Sequence, residues 1–320
     1  MSLIRTRFGS TSSAEEVVAG HDLTGIRAVV TGGASGIGIE TARALALGGA
    51  EVTLAVRNVE AGRQVAEAIS RDTDNSSVQI LPLDLADRAS IHRLAAGWSG
   101  SLHLLINNAG IMAHPLSRTA EGWESQFATN HLGHFILARG LRNALAQGAQ
   151  DRGGARIVVV SSSAHTMAPV DFDDLYFERR DYDPWVAYAQ SKSANILFAV
   201  EAYRRWAADG IIVNALHPGL IATNLQGHLS EEFHEGLREM QRSGMVTMKT
   251  PQQGAATSLV AAVAPEFANS GGHYLSDCNE AELMDDHKTY GPDGLGVRRW
   301  ALDPVAARRL WDASEELVGP

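Results

Sequence analysis

Tyr188 and Lys192 stand four residues apart in Tyr188-Ala-Gln-Ser-Lys192, inside a stretch over 185–208 whose pattern predicts a helix. Residues i and i+4 share a helix face. With six tyrosines and three lysines (Lys192, Lys249 and Lys288) in 320 residues, chance supplies about 0.06 such pairs. A tyrosine hydroxyl ordinarily loses its proton near pH 10, and a neutral-pH proton donor and acceptor should titrate nearer 7. That shift is worth about 4 kcal/mol. A lysine charge held some 4 Å away, at an effective dielectric near 20, supplies about that much. The pair is therefore suited to general acid–base work.

A second chemical signal lies upstream. Thr31-Gly32-Gly33-Ala34-Ser35-Gly36-Ile37-Gly38 follows an apolar run of strand length and opens a helix-like stretch. Strand, glycine turn and helix start are the context of a phosphate site, because glycine lets the chain turn tightly and lets a pyrophosphate approach backbone N–H groups. Gly32, Ser35, Gly36, Ile37 and Gly38 are the candidate binding residues. The spacing is GxxxGxG, and no Lys-Ser/Thr follows to make a nucleotide triphosphate loop. A dinucleotide site that prefers NAD(H) places an acid at the end of the next strand, to hold the ribose hydroxyls. Here that place reads Ala55-Val56-Arg57-Asn58. Arg57 suits a 2′-phosphate through paired, charge-assisted hydrogen bonds, so NADP(H) is expected over NAD(H).

Elements of a particular kind must carry these groups. Apolar runs of strand length occur at 26–31, 51–56, 78–83, 102–106, 156–160 and 211–217, with a weaker one at 272–276. Helical stretches lie between them at about 36–48, 59–70, 87–97, 120–148, 185–208 and 251–264. This alternation predicts a single doubly wound α/β domain of Rossmann type over 21–320, built on a seven-stranded parallel sheet. Residues 1–20 are polar and predict a peripheral extension, with one short helix at 14–19. The segments 163–184, 223–250 and 277–320 are longer than connections need to be. The first two follow strands at the carboxyl edge of the sheet, where ligands bind, so both should overhang the site.

Composition narrows the function. The balance of 27 basic and 37 acidic residues gives a net charge of −10, which disfavours a nucleic-acid groove or a basic membrane-surface helix. The one cysteine, Cys278, excludes an intrachain disulfide and a cysteine-rich metal site. No apolar run approaches a membrane span and the N-terminus has no signal core, so a cytoplasmic protein is expected.

From Leu23 to Val318 the chain resembles the short-chain dehydrogenase/reductase family. The glycine loop carries the resemblance, with Asp84-Leu85 after the third strand and Asn107-Asn108-Ala109-Gly110 after the fourth. Asn130, Ser162, Tyr188 with Lys192, and Pro218-Gly219 with Thr223 follow in family order. The resemblance implies that Tyr188 is the proton donor and acceptor. Lys192 would hold the nicotinamide ribose and lower the tyrosine pKa, Ser162 would hydrogen-bond the substrate oxygen, and Asn130 would hold a water in a proton relay. Asp84, Leu85, Asn108, Ala109, Gly110, Pro218, Gly219 and Thr223 would complete the cofactor site. Ser161 and Ser163 flank Ser162, and alignment on the preceding strand favours Ser162.

AVRN at 55–58, NHLGHF at 130–135, SSSAH at 161–165, YAQSKSANILF at 188–198 and RRLWDASEEL at 308–317 are similar to the retinol-dehydrogenase-like group, which includes the WW-domain oxidoreductase. The 26-residue interval from Ser162 to Tyr188 fits that group too. The implied reaction interconverts a carbonyl and an alcohol on a small hydrophobic molecule, in a homodimer or homotetramer whose long helices pair across subunits. Two rival readings are an NADP(H) sensor with little turnover and a carbon–carbon double-bond reductase related to protochlorophyllide reductase. Among residues outside the motifs, Phe172, Tyr176, Tyr182 and Trp185 are candidate substrate walls. His131, His134, His165 and His217 read as core or loop histidines, because no metal pattern such as HExxH completes them. Asp171, Asp173 and Asp174 read as a solvated loop face.

Overall fold

A computed structural model describes residues 2–285 and 296–319, so Lys288 and part of the long tail lie outside the described residues. After a short helix α1 (Ala14–Val18), the chain alternates strand and helix: β1 (Arg27–Thr31), α2 (Ile37–Leu47), β2 (Glu51–Val56), α3 (Val59–Thr73), β3 (Val78–Pro82), α4 (Arg88–Gly97) and β4 (Leu104–Asn107). The long helical stretch then begins with α5 (Ser125–Phe127), passes through a π-helical segment at Ala128–Leu132 and continues as α6 (Gly133–Arg152). Next come β5 (Ala155–Val160), α7 (Pro184–Trp206), β6 (Ile211–His217), β7 (Leu220–Ile221), α8 (Glu231–Arg242), β8 (Met248–Lys249), α9 (Pro251–Val263), β9 (Tyr274–Ser276), β10 (Asn279–Glu280) and α10 (Pro304–Val318).

The main sheet runs β10-β9-β6-β5-β4-β1-β2-β3, parallel except for the β9–β10 hairpin. The sheet thus has eight strands where seven were expected. The extra one is a two-residue antiparallel edge, too short to stand out as an apolar run. A separate pair, β7 with β8, joins the two roots of the 223–250 segment. Because β1 lies between β2 and β4, the strand order reverses there and leaves a crevice above the carboxyl ends of β1 and β4.

Local chemistry explains the boundaries. Asn58, Asp87, Asp183, Thr250 and Asp303 accept backbone N–H groups at the starts of α3, α4, α7, α9 and α10. Pro184, Pro251 and Pro304 occupy first helical positions, where no N–H is needed. The long helical stretch begins at Ser125 rather than 120, because Glu124 caps it with both carboxylate oxygens.

Alternate strand residues feed opposite layers. Val30, Leu54 and Leu216 pack with α2, α9 and α1, while Val29, Leu105 and Ile157 pack with α4, α6, α7 and α10. The N-terminal segment is part of this packing rather than peripheral. Ala14, Val17 and Val18 are buried, and the Ile4 and Thr6 N–H groups donate to Glu280 and Asn279 at the far edge strand. The tail likewise returns to the core. Trp311 of α10 lies edge-on to Phe135 (4.9 Å) and Trp206 (5.3 Å), stacks on Phe198 (6.1 Å), and carries the Arg205 guanidinium on its face (4.7 Å).

Replacing a large buried aromatic by alanine costs about 3–5 kcal/mol. Trp311→Ala should therefore lower the unfolding free energy from denaturant melts by that amount, and the midpoint with it. Val305→Ala, at an exposed position on the same helix, should stay within about 0.5 kcal/mol of the parent. Equal midpoints for the two variants would show that α10 does not help to hold the fold.

Candidate active site

Tyr188 and Lys192 lie on α7 beside the end of β5, both about 4% exposed. Three side chains join the helix to the strand: Lys192 Nζ and Asn195 Nδ2 donate to the Val160 carbonyl (3.1 and 3.2 Å), and Ser161 Oγ donates to the Lys192 carbonyl (2.8 Å). The three consecutive serines thereby separate. Ser161 is committed to the helix backbone, the Ser163 N–H donates to His217 Nδ1 (3.1 Å), and Ser162 lies near enough to Tyr188 to act on the phenol's titration. Ser162 is held by its own neighbours: its Oγ accepts the Ala164 N–H (3.1 Å) and its carbonyl lies 2.7 Å from His165 Nδ1.

Lys192 Nζ is 5.6 Å from the centre of the Tyr188 ring. Burial pushes the tyrosine up to about 12, against a smaller opposing effect of Ser162. Burial also brings the lysine down to about 8. The lysine charge favours the phenolate, but burial of the phenol opposes it and is the larger effect. In the protein alone desolvation wins, and at neutral pH the phenol keeps its proton while the ammonium keeps most of its charge.

Asn130 enters from the π-helical segment, where the Gly133 N–H donates five residues back, to Ala128. Its Oδ1 accepts the Ile111 N–H (2.8 Å), and its Nδ2 donates to the Ile111 carbonyl (2.9 Å) and to Ser191 Oγ (2.9 Å). Ser191 in turn donates to the Tyr188 carbonyl (2.7 Å). Ser191 links two motif residues and was passed over in the sequence, although it sits inside the Tyr–Lys motif.

The glycine loop meets the end of β4 in the crevice. A side chain at Gly32 would press on Ala109, and one at Gly38 would lie 2.4 Å from the Gly32 carbonyl and 2.6 Å from Asn108 Nδ2. Gly36, in the left-handed region, faces Thr223 across a gap that a Cβ would close to 3.4 Å. At Gly110 a Cβ would fall 3.1 Å from Asn130 Oδ1 and 3.5 Å from Lys192 Nζ. No side chain caps α2 at Gly36, and the Gly38 and Ile39 N–H groups donate to the Ser35 and Gly36 carbonyls of the loop. Ser35, Ile37, Asn108, Pro218, Gly219 and Thr223 are all partly exposed along its rim. Asp84 and Leu85 follow β3, where the Asp84 N–H donates to Ser90 (3.0 Å). Arg57 is exposed at the end of β2 and makes no ion pair among the described residues. Together these groups line a cradle that glycines keep open, and its shape fits a dinucleotide.

Beyond Tyr188 the walls are apolar. Met112, Ala113, Ala164, Trp185 and Leu229 cluster with its ring. The 223–250 segment covers them: Phe233 of α8 stacks on Trp185 (5.4 Å) and His228 stacks on His114 (4.1 Å). Of the four aromatic wall candidates only Trp185 lies here. Phe172 and Tyr176 pack on the helical layer, with Phe172 under the Arg309 guanidinium, and Tyr182 hydrogen-bonds around Glu124. The 163–184 segment is thus a packed loop rather than a cover. Asp174 is also internal to it, accepting the N–H groups of Glu178, Arg179 and Arg180, whereas Asp173 is solvated as expected. Lys249 was a further omission. It pairs with Asp277 and packs where a side chain at Gly219 would be, fixing the root of the cover.

The short chain dehydrogenase family model matches residues 27–233. A probable oxidoreductase of Streptomyces antibioticus is 51% identical over 91% of this chain and 97% of its own. Human retinol dehydrogenase 11 is 41% identical over 93% of this chain and 87% of its own. A crystal structure of an uncharacterized protein from Mycobacterium Paratuberculosis superposes with a TM-score of 0.71 at 33% identity, covering 94% of this chain and 96% of that one. The chain belongs to the short-chain dehydrogenase/reductase family of oxidoreductases, which use NAD(P)(H). Within the family it falls with the retinol-dehydrogenase-like members. Among the described residues no helix is long and apolar enough to cross a membrane.

The four histidines are core residues with protein partners. Burial is the main cause that brings His131 and His217 to about 3 and His134 and His165 to about 4, against an ordinary value near 6.5. In the unfolded chain they take up protons below about pH 6.5, and in the folded protein they do not. Stability is therefore lost as pH falls from about 6.5 toward 4. Each histidine contributes a slope of up to about 1.4 kcal/mol per pH unit. Denaturant melts should show a steep, monotonic loss between pH 6.5 and 5. A flat profile over that window would show that these rings are protonated in the native state.

Proposed function

We propose that the protein interconverts a carbonyl and an alcohol on a small hydrophobic substrate, with NADP(H) as the redox partner. The observation that carries this reading is the placement of Tyr188 with Lys192, whose Nζ is 5.6 Å from the tyrosine ring centre, beside Ser162 and facing Gly110 at the mouth of the cradle between β1 and β4. The two hydroxyls offer a pair of donors to one substrate oxygen. The nicotinamide, when bound, gives or takes the hydride. Tyr188 gives the proton that the substrate oxygen needs as it becomes an alcohol, and its native protonated state suits reduction at neutral pH. Lys192 brings positive charge to the cofactor side of the site. Asn130, through Ile111 and Ser191, holds the turn carrying Gly110 against the tyrosine helix. The Met112, Trp185, Leu229 and Phe233 walls favour an apolar substrate and exclude water from the proton transfer. A double-bond reductase would need a proton donor such as cysteine in the site. Cys278 is instead buried in the layer of α9, next to Thr257.

For NADPH over NADH the support is Arg57, exposed and without an ion-pair partner where an acid would bind the ribose. One charge-assisted contact is worth roughly 1.5–3 kcal/mol, so NADPH should bind about ten- to a hundredfold more tightly. Arg57→Ala should erase most of that difference in a fluorescence titration. Equal affinities in the parent would remove Arg57 from the cofactor site.

Tyr188→Phe keeps the ring and its packing and removes the proton donor. Turnover of an aldehyde and ketone panel, followed by NADPH absorbance, should fall about 10²–10⁴-fold while NADPH affinity stays nearly constant. Near-normal turnover in this variant would sink the mechanism. A parent protein that binds NADPH and reduces nothing in the panel would favour a sensor.

A further inference from the structure

His134 lies one turn beyond Asn130 on the helix that follows the π-helical segment, and it is 2% exposed. Its Nδ1 is 3.0 Å from the Asn130 carbonyl oxygen and its Nε2 is 2.9 Å from Thr31 Oγ1. A carbonyl oxygen only accepts, so Nδ1 must carry the ring proton. Burial keeps the ring neutral, which leaves Nε2 as an acceptor. The Thr31 hydroxyl then donates to Nε2, and its oxygen remains free to accept the Asn108 and Ala109 N–H groups, at 2.9 and 3.0 Å.

The Thr31 hydroxyl has two acceptors in reach, His134 Nε2 at 2.9 Å and the Ile106 carbonyl at 3.3 Å, and the nearer is the histidine. The turn 108–111 is gripped at its start by Thr31 and at its end by the Asn130 side chain. His134 joins the two grips. The same device recurs at the next strand, where His165 Nδ1 reaches the Ser162 carbonyl at 2.7 Å.

We propose that His134 is a positioning residue: it ties Asn130 on the helix to Thr31 on β1 and so fixes the turn 108–111 that faces the nicotinamide half of the cradle. The identity of the ligand rests on the function proposed above, whereas the positioning of the turn does not.

Two variants take the linkage apart. His134→Asn puts an amide near Nδ1 and keeps the bond to Asn130, whereas His134→Gln reaches the Nε2 position and keeps the bond to Thr31. His134→Leu removes both. His131→Gln is the control: His131 is equally buried and bonds to Ser314 on α10, away from the turn. Amide hydrogen exchange at Asn108 and Ala109, read by NMR without nucleotide, should quicken at least tenfold in the Leu and Asn variants and stay near the parent rate in the Gln variant. NADPH affinity should fall about tenfold in the Leu variant and by less in the other two. The control should lower Tm without moving either readout.

If the Leu and Asn variants lose only Tm, with exchange at Asn108 and Ala109 and nucleotide affinity unchanged, His134 is a packing residue and the proposal is wrong. If the Leu variant does not fold, the Asn and Gln variants still decide, because they must differ in exchange at Asn108 and Ala109. If the parent does not bind NADPH but the exchange pattern holds, the positioning stands and the dinucleotide reading falls.

Discussion

A helix buried on all sides has nowhere to put its polar groups except against other protein, and α7 is such a helix. Tyr188, Gln190, Ser191, Lys192, Ser193 and Asn195 are all buried on it. An unpaired buried polar group costs about 1–3 kcal/mol, so six of them could not be left without partners. Most are answered by carbonyls at the carboxyl end of β5 and in the loop beyond it: Val160 for Lys192 and Asn195, His165 and Ala168 for Ser193, Leu175 for Gln190. Those bonds set the height and rotation of the helix against the strand. The placement of Tyr188 beside the end of β5 is a consequence of that setting. The path of the 163–184 loop is another, because it must bring the other carbonyls within reach.

A similar economy organises the cofactor side. Thr31, Asn130 and His134 each serve more than one partner, and together they hold a short turn whose glycine leaves room beside Lys192. Only the opposite side of the site is loosely built. α8 has no buried residue, and its Arg238 and Arg242 pair with Glu231, Glu235 and Glu239 in solvent. Such pairs contribute little each. The cover is thus anchored at its roots, by β7 with β8 and by Lys249 with Asp277, and touches the walls through Leu229, Phe233 and His228.

What was legible in the sequence follows from this construction. Most strands were clear because they are buried on both faces and read as continuous apolar runs, whereas β3 at the sheet edge is only partly buried. The motif residues were clear because the glycine loop and the Tyr–Lys pair are local in sequence. The edge strand β10 was not, since two residues carry no period. α8 was passed over although Phe233, Leu237 and Met240 fall at helical spacing, because its charged residues and its place in a long connection read as a loop. α10 repeats Ala307, Leu310, Trp311, Ser314 and Val318 at helical spacing, a pattern that was open to view but masked by its position in a long tail. The tyrosine pKa could not be judged from spacing, because the burial that sets its sign depends on Met112, Ala113 and Leu229, which arrive from other parts of the chain. Phe172, Tyr176 and Tyr182 were misplaced for the converse reason: an aromatic in a loop gives no sign of which way the loop folds.

The position of α10 also bears on how the protein is made. Its seat is the aromatic surface of Phe135, Phe198 and Trp206, and the helix that fills it is encoded about a hundred residues after Trp206, some 5–20 s of synthesis. During that interval α7 can form and can dock on β5, yet its outer aromatic face stays open to other hydrophobic surfaces in the cell. α7 therefore reaches its final surroundings only once α10 has been delivered, and assembly of the candidate site waits on a segment that contributes no group to it.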